Sequence, residues 1–170
     1  MKVFGIVLTT VFGFLLLIQA VVVVTMYVVF DRNCEGYLKR AADSNTVEMA
    51  SRELKKSLDY IESHNLTKGF TSVLYTTPDE DIEFWYTNVK SCYESLIKLK
   101  PNATELEKSN MLMKLRETLL DQKKETVGVT MPSGIQIYPY NTLFAVISNL
   151  TWIFILLGAF LWFIKSDMYW

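Results

Sequence analysis

One histidine, His64, and two cysteines, Cys34 and Cys92, are the side chains of this chain best suited to hold a metal or act as a nucleophile. A structural or catalytic zinc site needs about three or four His, Cys or carboxylate ligands at ordered spacing, and these three do not supply that pattern. His64 closes a helical stretch, where a partly positive imidazole complements the terminal carbonyls. No Gly-rich phosphate loop, Gly-x-Ser-x-Gly elbow or His-Glu-x-x-His pair occurs. The acidic run Asp79, Glu80, Asp81 and Glu83 points around a helix start rather than converging, and carboxylates there complement the N-terminal dipole. We therefore expect no catalytic residues, no metal and no cofactor, and a chain that is not an enzyme.

The cysteines raise one structural question. In an oxidising compartment Cys34 and Cys92 could form a disulfide. On an antiparallel helical pair their levels differ by roughly 20–25 Å at about 1.5 Å per residue, whereas a disulfide needs Cα atoms within about 7 Å. The competing reading is that Cys92 is a small core residue. Asn65-Leu66-Thr67 and Asn102-Ala103-Thr104 are glycosylation sequons, and Asn149-Leu150-Thr151 falls inside an apolar stretch.

That stretch is one of two. Val3 to Phe30 and Leu143 to Ile164 contain no charged residue, and each meets the length of about 20 apolar residues that a bilayer core of roughly 30 Å requires. The first is about twice a normal signal h-region and lacks a small-x-small cleavage site, so we read an uncleaved signal-anchor. Gly5, Thr9 and Gly13 recur at i, i+4 and i+8 as a small-residue stripe for close helix contact. Gln19 and Asn149 are amides at comparable depth in the two stretches, and Gly13 and Gly158 also match. The expectation is a Gln19–Asn149 hydrogen bond with Gly13/Gly158 contact, within one chain or between copies. Tyr138, Tyr140, Trp162, Tyr169 and Trp170 suit interfacial anchoring. Neither stretch holds an Asp, Glu, Lys, Arg or His, which weighs against an ion-coupled transporter.

These residues need elements to position them. Leu38, Ala41, Ala42, Val47, Ala50, Leu54, Leu58 and Ile61 recur at helical spacing, predicting a helix that continues from the first span and ends at His64-Asn65. Residues 70–76 read as an extended crossing. Thr77-Pro78-Asp79-Glu80 has the pattern of a capping box with proline at the first helical position. It is followed by the stripe Ile82, Trp85, Tyr86, Val89, Cys92, Tyr93, Leu96 and Leu99. Asn102 with Glu105 predicts a third helix, whose buried face is Leu106, Met111, Leu112, Leu115, Leu119 and Leu120. Val127 to Met131 and Ile135 to Tyr138 suggest a small hairpin around Pro132-Ser133-Gly134.

The expected fold is an all-α membrane protein: two transmembrane helices flanking a mainly helical domain of three amphipathic helices plus a short extended or hairpin segment. Its divisions are 1–30 (first span), 31–139 (extracytoplasmic domain), 140–165 (second span) and 166–170 (cytoplasmic tail). Lys2 and Lys165 flank the short ends, favouring cytoplasmic termini. A net charge of −1 disfavours nucleic acid as a partner. The expected partners are the lipid bilayer, a second copy of the chain and another membrane protein, with Phe70, Tyr75 and Phe84 marking a partner surface.

The layout resembles that of ion-channel auxiliary subunits, which have short inner tails and a folded outside loop, although their multiple disulfides have no counterpart. Chemoreceptor-like sensors share the layout too, but only Lys165 to Trp170 follow the second span. The leading expectation is an accessory or scaffold subunit. The alternatives are a small oligomeric channel or holin-like permeabilising protein, and an extracytoplasmic sensor acting through a partner.

Overall fold

The computed structural model describes residues 2–121 and 128–163. Lys165, the 166–170 tail, Tyr169, Trp170 and the Val127 end of the expected hairpin lie outside the described residues. The chain is mostly helical and forms two compact units, Met1–Met26 with Pro139–Trp170, and Tyr27–Tyr138.

Two helices among the described residues are long and apolar enough to cross a bilayer. Helix α1 (Lys2–Phe30) opens a continuous helical stretch that reaches Ala42, with a mean hydropathy of 2.6 in its most apolar window; helix α6 (Asn141–Phe163) has 2.1. Leucine, isoleucine, valine and phenylalanine are spread around both helices rather than along one face.

The middle unit departs from the predicted uninterrupted helix. After α1 the backbone widens into a π-helical turn, Asp31–Glu35, and continues as α2 (Gly36–Ala42). The polar run Asp43-Ser44-Asn45-Thr46 then breaks the helix. Such side chains compete for backbone hydrogen bonds and favour caps. Thr46 accepts from the Met49 amide at 3.2 Å and starts α3 (Val47–Ser63), which packs against α2. The end of α3 is a Schellman motif. Asn65 adopts φ 56°, its amide donates to the Glu62 carbonyl at 3.2 Å, and the Leu66 amide reaches Ile61 at 2.9 Å.

The next two helices begin later than their sequence signals suggest. Glu80 accepts from the Thr77 amide at 3.1 Å, as a capping box requires, but the box opens only a 3-10 turn, Pro78–Glu80. The N-cap of α4 (Ile82–Ile97) is Asp81, which accepts from Glu83 at 2.9 Å and Phe84 at 3.1 Å. Helix α5 (Glu105–Leu119) is capped by Thr104 and Glu107 rather than Asn102 and Glu105; Thr104 accepts from the Glu107 amide at 3.2 Å and Glu107 from the Thr104 amide at 2.7 Å. Leu106, in the first turn of α5, is exposed instead of buried. The small sheet also differs from the expected hairpin. β1 (Leu120–Asp121) follows α5 directly and pairs antiparallel with β2 (Gly128–Val129), while Ile135–Ile137 is a 3-10 turn.

The core joins Phe30, Cys34 and Leu38 to Ala50, Leu54 and Ile61 of α3, Ile82, Trp85 and Val89 of α4, and Leu115 and Leu119 of α5. Two polar groups inside it bond to backbone carbonyls. Ser57 donates to the Cys34 carbonyl at 2.9 Å, and the Trp85 indole donates to the Thr130 carbonyl at 2.8 Å.

Candidate functional site

The looped segment between α3 and α4 carries the most exposed apolar side chains of the middle unit. Gly69–Thr71 runs antiparallel to Glu80–Ile82, with Thr71 donating to the Glu80 carbonyl at 3.1 Å and Ile82 to the Gly69 carbonyl at 2.9 Å. Gly69 has φ 109°, and a Cβ there would meet the Tyr138 hydroxyl. Both constraints require glycine. Tyr138 in turn donates to the Lys68 carbonyl at 3.2 Å, fixing the base of the loop. Its far end presents Leu74 at 90% exposure and Tyr75 at 75%; Phe84, in the first turn of α4, is 66% exposed and Phe70 43%. The structure therefore places Phe70, Tyr75 and Phe84 on the surface of one local segment. Leu74 went unnoticed in the sequence, where a leucine within FTSVLYT reads as part of a strand.

Beside Phe84 lies an open groove of about 1030 Å³. Trp85 and Val89 of α4, Leu120 of β1 and Pro132 give it an apolar floor, while Asp79, Glu80, Asp81, Glu117 and Asp121 stand among its walls. Among the described residues that line it there is no lysine, arginine or histidine. Glu80 and Asp81 are engaged in caps, as described above. The carboxylates of Asp79 and Glu117 have no ion-pair or hydrogen-bond partner among the described residues. Among those residues no cluster of three or more His, Cys, Asp or Glu is placed to hold a metal.

Elsewhere the charged groups brace helices. Glu53, only 3% exposed, meets Lys56 at 3.0 Å, Arg40 at 3.2 Å and Arg52 at 3.3 Å, tying α2 to α3. Burial alone would raise its pKa. The hydrogen bonds from Lys56 and Arg52 and the charge of Arg40 outweigh that, holding it below the usual value. Glu62 accepts from Tyr86 at 2.6 Å and Lys90 at 3.1 Å, joining α3 to α4; these two bonds hold its carboxyl low. The His64 ring stacks on Tyr60 with centroids 4.0 Å apart, and its Nδ1 lies 2.9 Å from the Tyr60 carbonyl.

Both cysteines are free thiols, so the Cys34–Cys92 bridge is not formed. Cys34 is enclosed in the core on the π turn, beside α3. Cys92 is half-buried between α4 and α5, near Met111 and Leu115, and burial raises its pKa. Each thiol is held on a different pair of elements.

The apolar pair is assembled differently from its expected register. Gly5, rather than Gly13, meets Gly158: a Cβ on Gly5 would lie 2.7 Å from the Gly158 carbonyl oxygen. A Cβ on Gly158 would lie 2.9 Å from the Gly5 carbonyl oxygen and 2.5 Å from the Thr9 hydroxyl. Gly13 faces open space. Phe12 stacks on Phe154 at 4.5 Å between centroids, and Gln19 Nε2 donates to the Phe144 carbonyl at 2.9 Å. Gln19 and Asn149 therefore do not pair within the chain. The Gly5/Gly158 crossing sets an antiparallel register that puts Gln19 beside Phe144, a turn and more from Asn149. Asn149 instead donates to the Ala145 carbonyl one turn back, at 2.8 Å, on the exposed side of α6. Tyr140 and Trp162 are about half exposed.

No family model matches the chain, and neither the curated proteins nor the solved structures provide a match.

Proposed function

We propose that this chain is a non-enzymatic accessory or scaffold subunit of a membrane complex. In this reading α1 and α6 span the bilayer, both termini are cytoplasmic, and residues 31–139 form an extracytoplasmic domain that docks on another membrane protein. The observation that carries the proposal is the exposure of Leu74 and Tyr75 on the short, hydrogen-bonded α3–α4 loop and of Phe84 in the first turn of α4, at the groove. Leu74 and Tyr75 are the most exposed large apolar side chains of the middle unit, and exposed apolar patches mark interaction sites. Aromatic anchors of this kind carry most of the energy in protein interfaces.

Purification from native membranes in gentle detergent, with identification of whatever co-migrates, tests the reading. A second protein at fixed stoichiometry is expected. A homo-oligomer alone that conducts ions in reconstituted bilayers would favour the channel alternative. Topology is tested separately: cysteines introduced near residue 2 and at Ser109 should be labelled by an impermeant maleimide from opposite sides of the membrane.

A further inference from the structure

Within α6, Asn149 and Trp152 carry hydrogen-bonding groups that the two-helix packing leaves unused. Asn149 is exposed, and its amide makes one bond, to Ala145 on its own helix. Its Oδ1 and its second N–H have no partner among the described residues. Trp152, three residues on and 52% exposed, is the middle residue of the Asn141–Phe163 helix, and its indole N–H also has no partner among them. In a span, Trp152 lies near the bilayer centre, far from the interfacial level where tryptophan is enriched. Asn149 lies roughly 5 Å from it along the axis at about 1.5 Å per residue. Neither position has water to bond to, so unused donors and acceptors there favour a protein partner.

The rest of that face fits a helix. Ala145, Asn149, Trp152 and Leu156 follow at spacings of four, three and four, the seam spacing of paired helices. Ala145 is small, which permits close approach, and Leu156 is 64% exposed. The face is also self-complementary, since it holds an acceptor (Asn149 Oδ1) and donors (Asn149 Nδ2, Trp152 Nε1). Two parallel copies about a two-fold axis along the membrane normal bring like levels together, so each copy meets the other's needs.

We infer that the chain self-associates through the Ala145–Asn149–Trp152–Leu156 face of α6, with Asn149 and Trp152 hydrogen-bonding across a two-fold axis to a second copy. This inference rests on the spanning reading above and specifies one of its contacts. Gln19, whose Nε2 donates to Phe144 and whose Oε1 is buried within the pair, takes no part.

The test places a benzoylphenylalanine at Leu156 or at its neighbour Leu157, which is 44% exposed and turned about 100° around the helix. Irradiation in native membranes is expected to give a species of twice the chain mass from Leu156 and little from Leu157. Asn149→Leu should weaken that dimer roughly tenfold, the scale of one interhelical amide bond in membrane peptides, and Asn149→Gln should retain most of it. Equal yields from both positions, an undiminished dimer in Asn149→Leu, or capture of a different protein from Leu156 would overturn the inference. Carbonate extraction of the same membranes separates the two claims. A chain released by carbonate sinks the spanning reading, whereas a retained chain without the Leu156 dimer sinks only the self-association.

Discussion

The apolar pair and the middle unit solve the same packing problem in opposite ways. In the middle unit, large side chains fill the space between helices, and Leu54, Ile82, Leu115 and Ile135 are almost wholly enclosed. Water outside and hydrocarbon inside supply the driving force, so buried volume decides stability. In the apolar pair most large side chains are exposed, and the closest approach is of backbone to backbone at Gly5 and Gly158. In the bilayer proposed for α1 and α6, burying leucine against leucine gains nothing, so contact there has to come from small residues and a few polar bonds. Volume holds one region and the lack of it holds the other.

Five substitutions sharpen or break this contrast. Trp85→Ala should have the largest effect, destabilising the middle unit by about 3–5 kcal/mol, because it opens a cavity and strips the Thr130 carbonyl of its donor. Thermal melting followed by circular dichroism reads it, and a loss under 1 kcal/mol would break the volume argument. Gly158→Leu comes next. Adding volume should separate α1 from α6 at an expected loss of about 1–3 kcal/mol, whereas Gly13→Leu, in open space, should be near neutral. Cross-linking between cysteines placed at Phe12 and Phe154 follows the separation, and equal yields in both variants would contradict the register.

Glu53→Gln should cost about 1–2 kcal/mol at neutral pH, since it removes a charged acceptor from three cations. The pH dependence has a definite sign. A carboxyl held below its ordinary value of 4.5 contributes fully above that pH, and its contribution disappears as the pH falls further through the lowered value. The variant should therefore show a flatter stability curve below about pH 4.5, measured by denaturant titration across the acid range. Phe84→Ala should have the smallest effect on the fold, within about 0.5 kcal/mol, because the ring is already in solvent.

Much of this architecture is legible from the sequence where periodicity is long. Ala50, Leu54, Leu58 and Ile61 repeat cleanly, and all are buried as that repeat requires. The breaks are harder to read because several residues compete for the same role. Thr77 and Asp81 both carry capping side chains four residues apart; Pro78 and Glu80 make the first look stronger, yet the helix starts after the second. Asn102 and Thr104 compete in the same way, and the Glu107 carboxylate decides for Thr104. The register of the apolar pair is opaque for a different reason. Gly5, Gly13 and Gly158 are equivalent as letters, and only the crossing point distinguishes a glycine in contact from one in open space. At the candidate surface the sequence marks Phe70, Tyr75 and Phe84. The groove beside Phe84 depends on the pairing of Leu120 with Val129 and the path through Pro132, which no local pattern encodes.

The measurement closest to the central claim is native mass spectrometry of gently extracted complexes, comparing the wild-type chain with Tyr75→Ser/Phe84→Ser. The account predicts a complex containing a second protein from the wild type, and its loss from the double variant while the variant's circular dichroism and melting are unchanged. The same complex at the same yield from both chains, or this chain without any other protein in both, would contradict it.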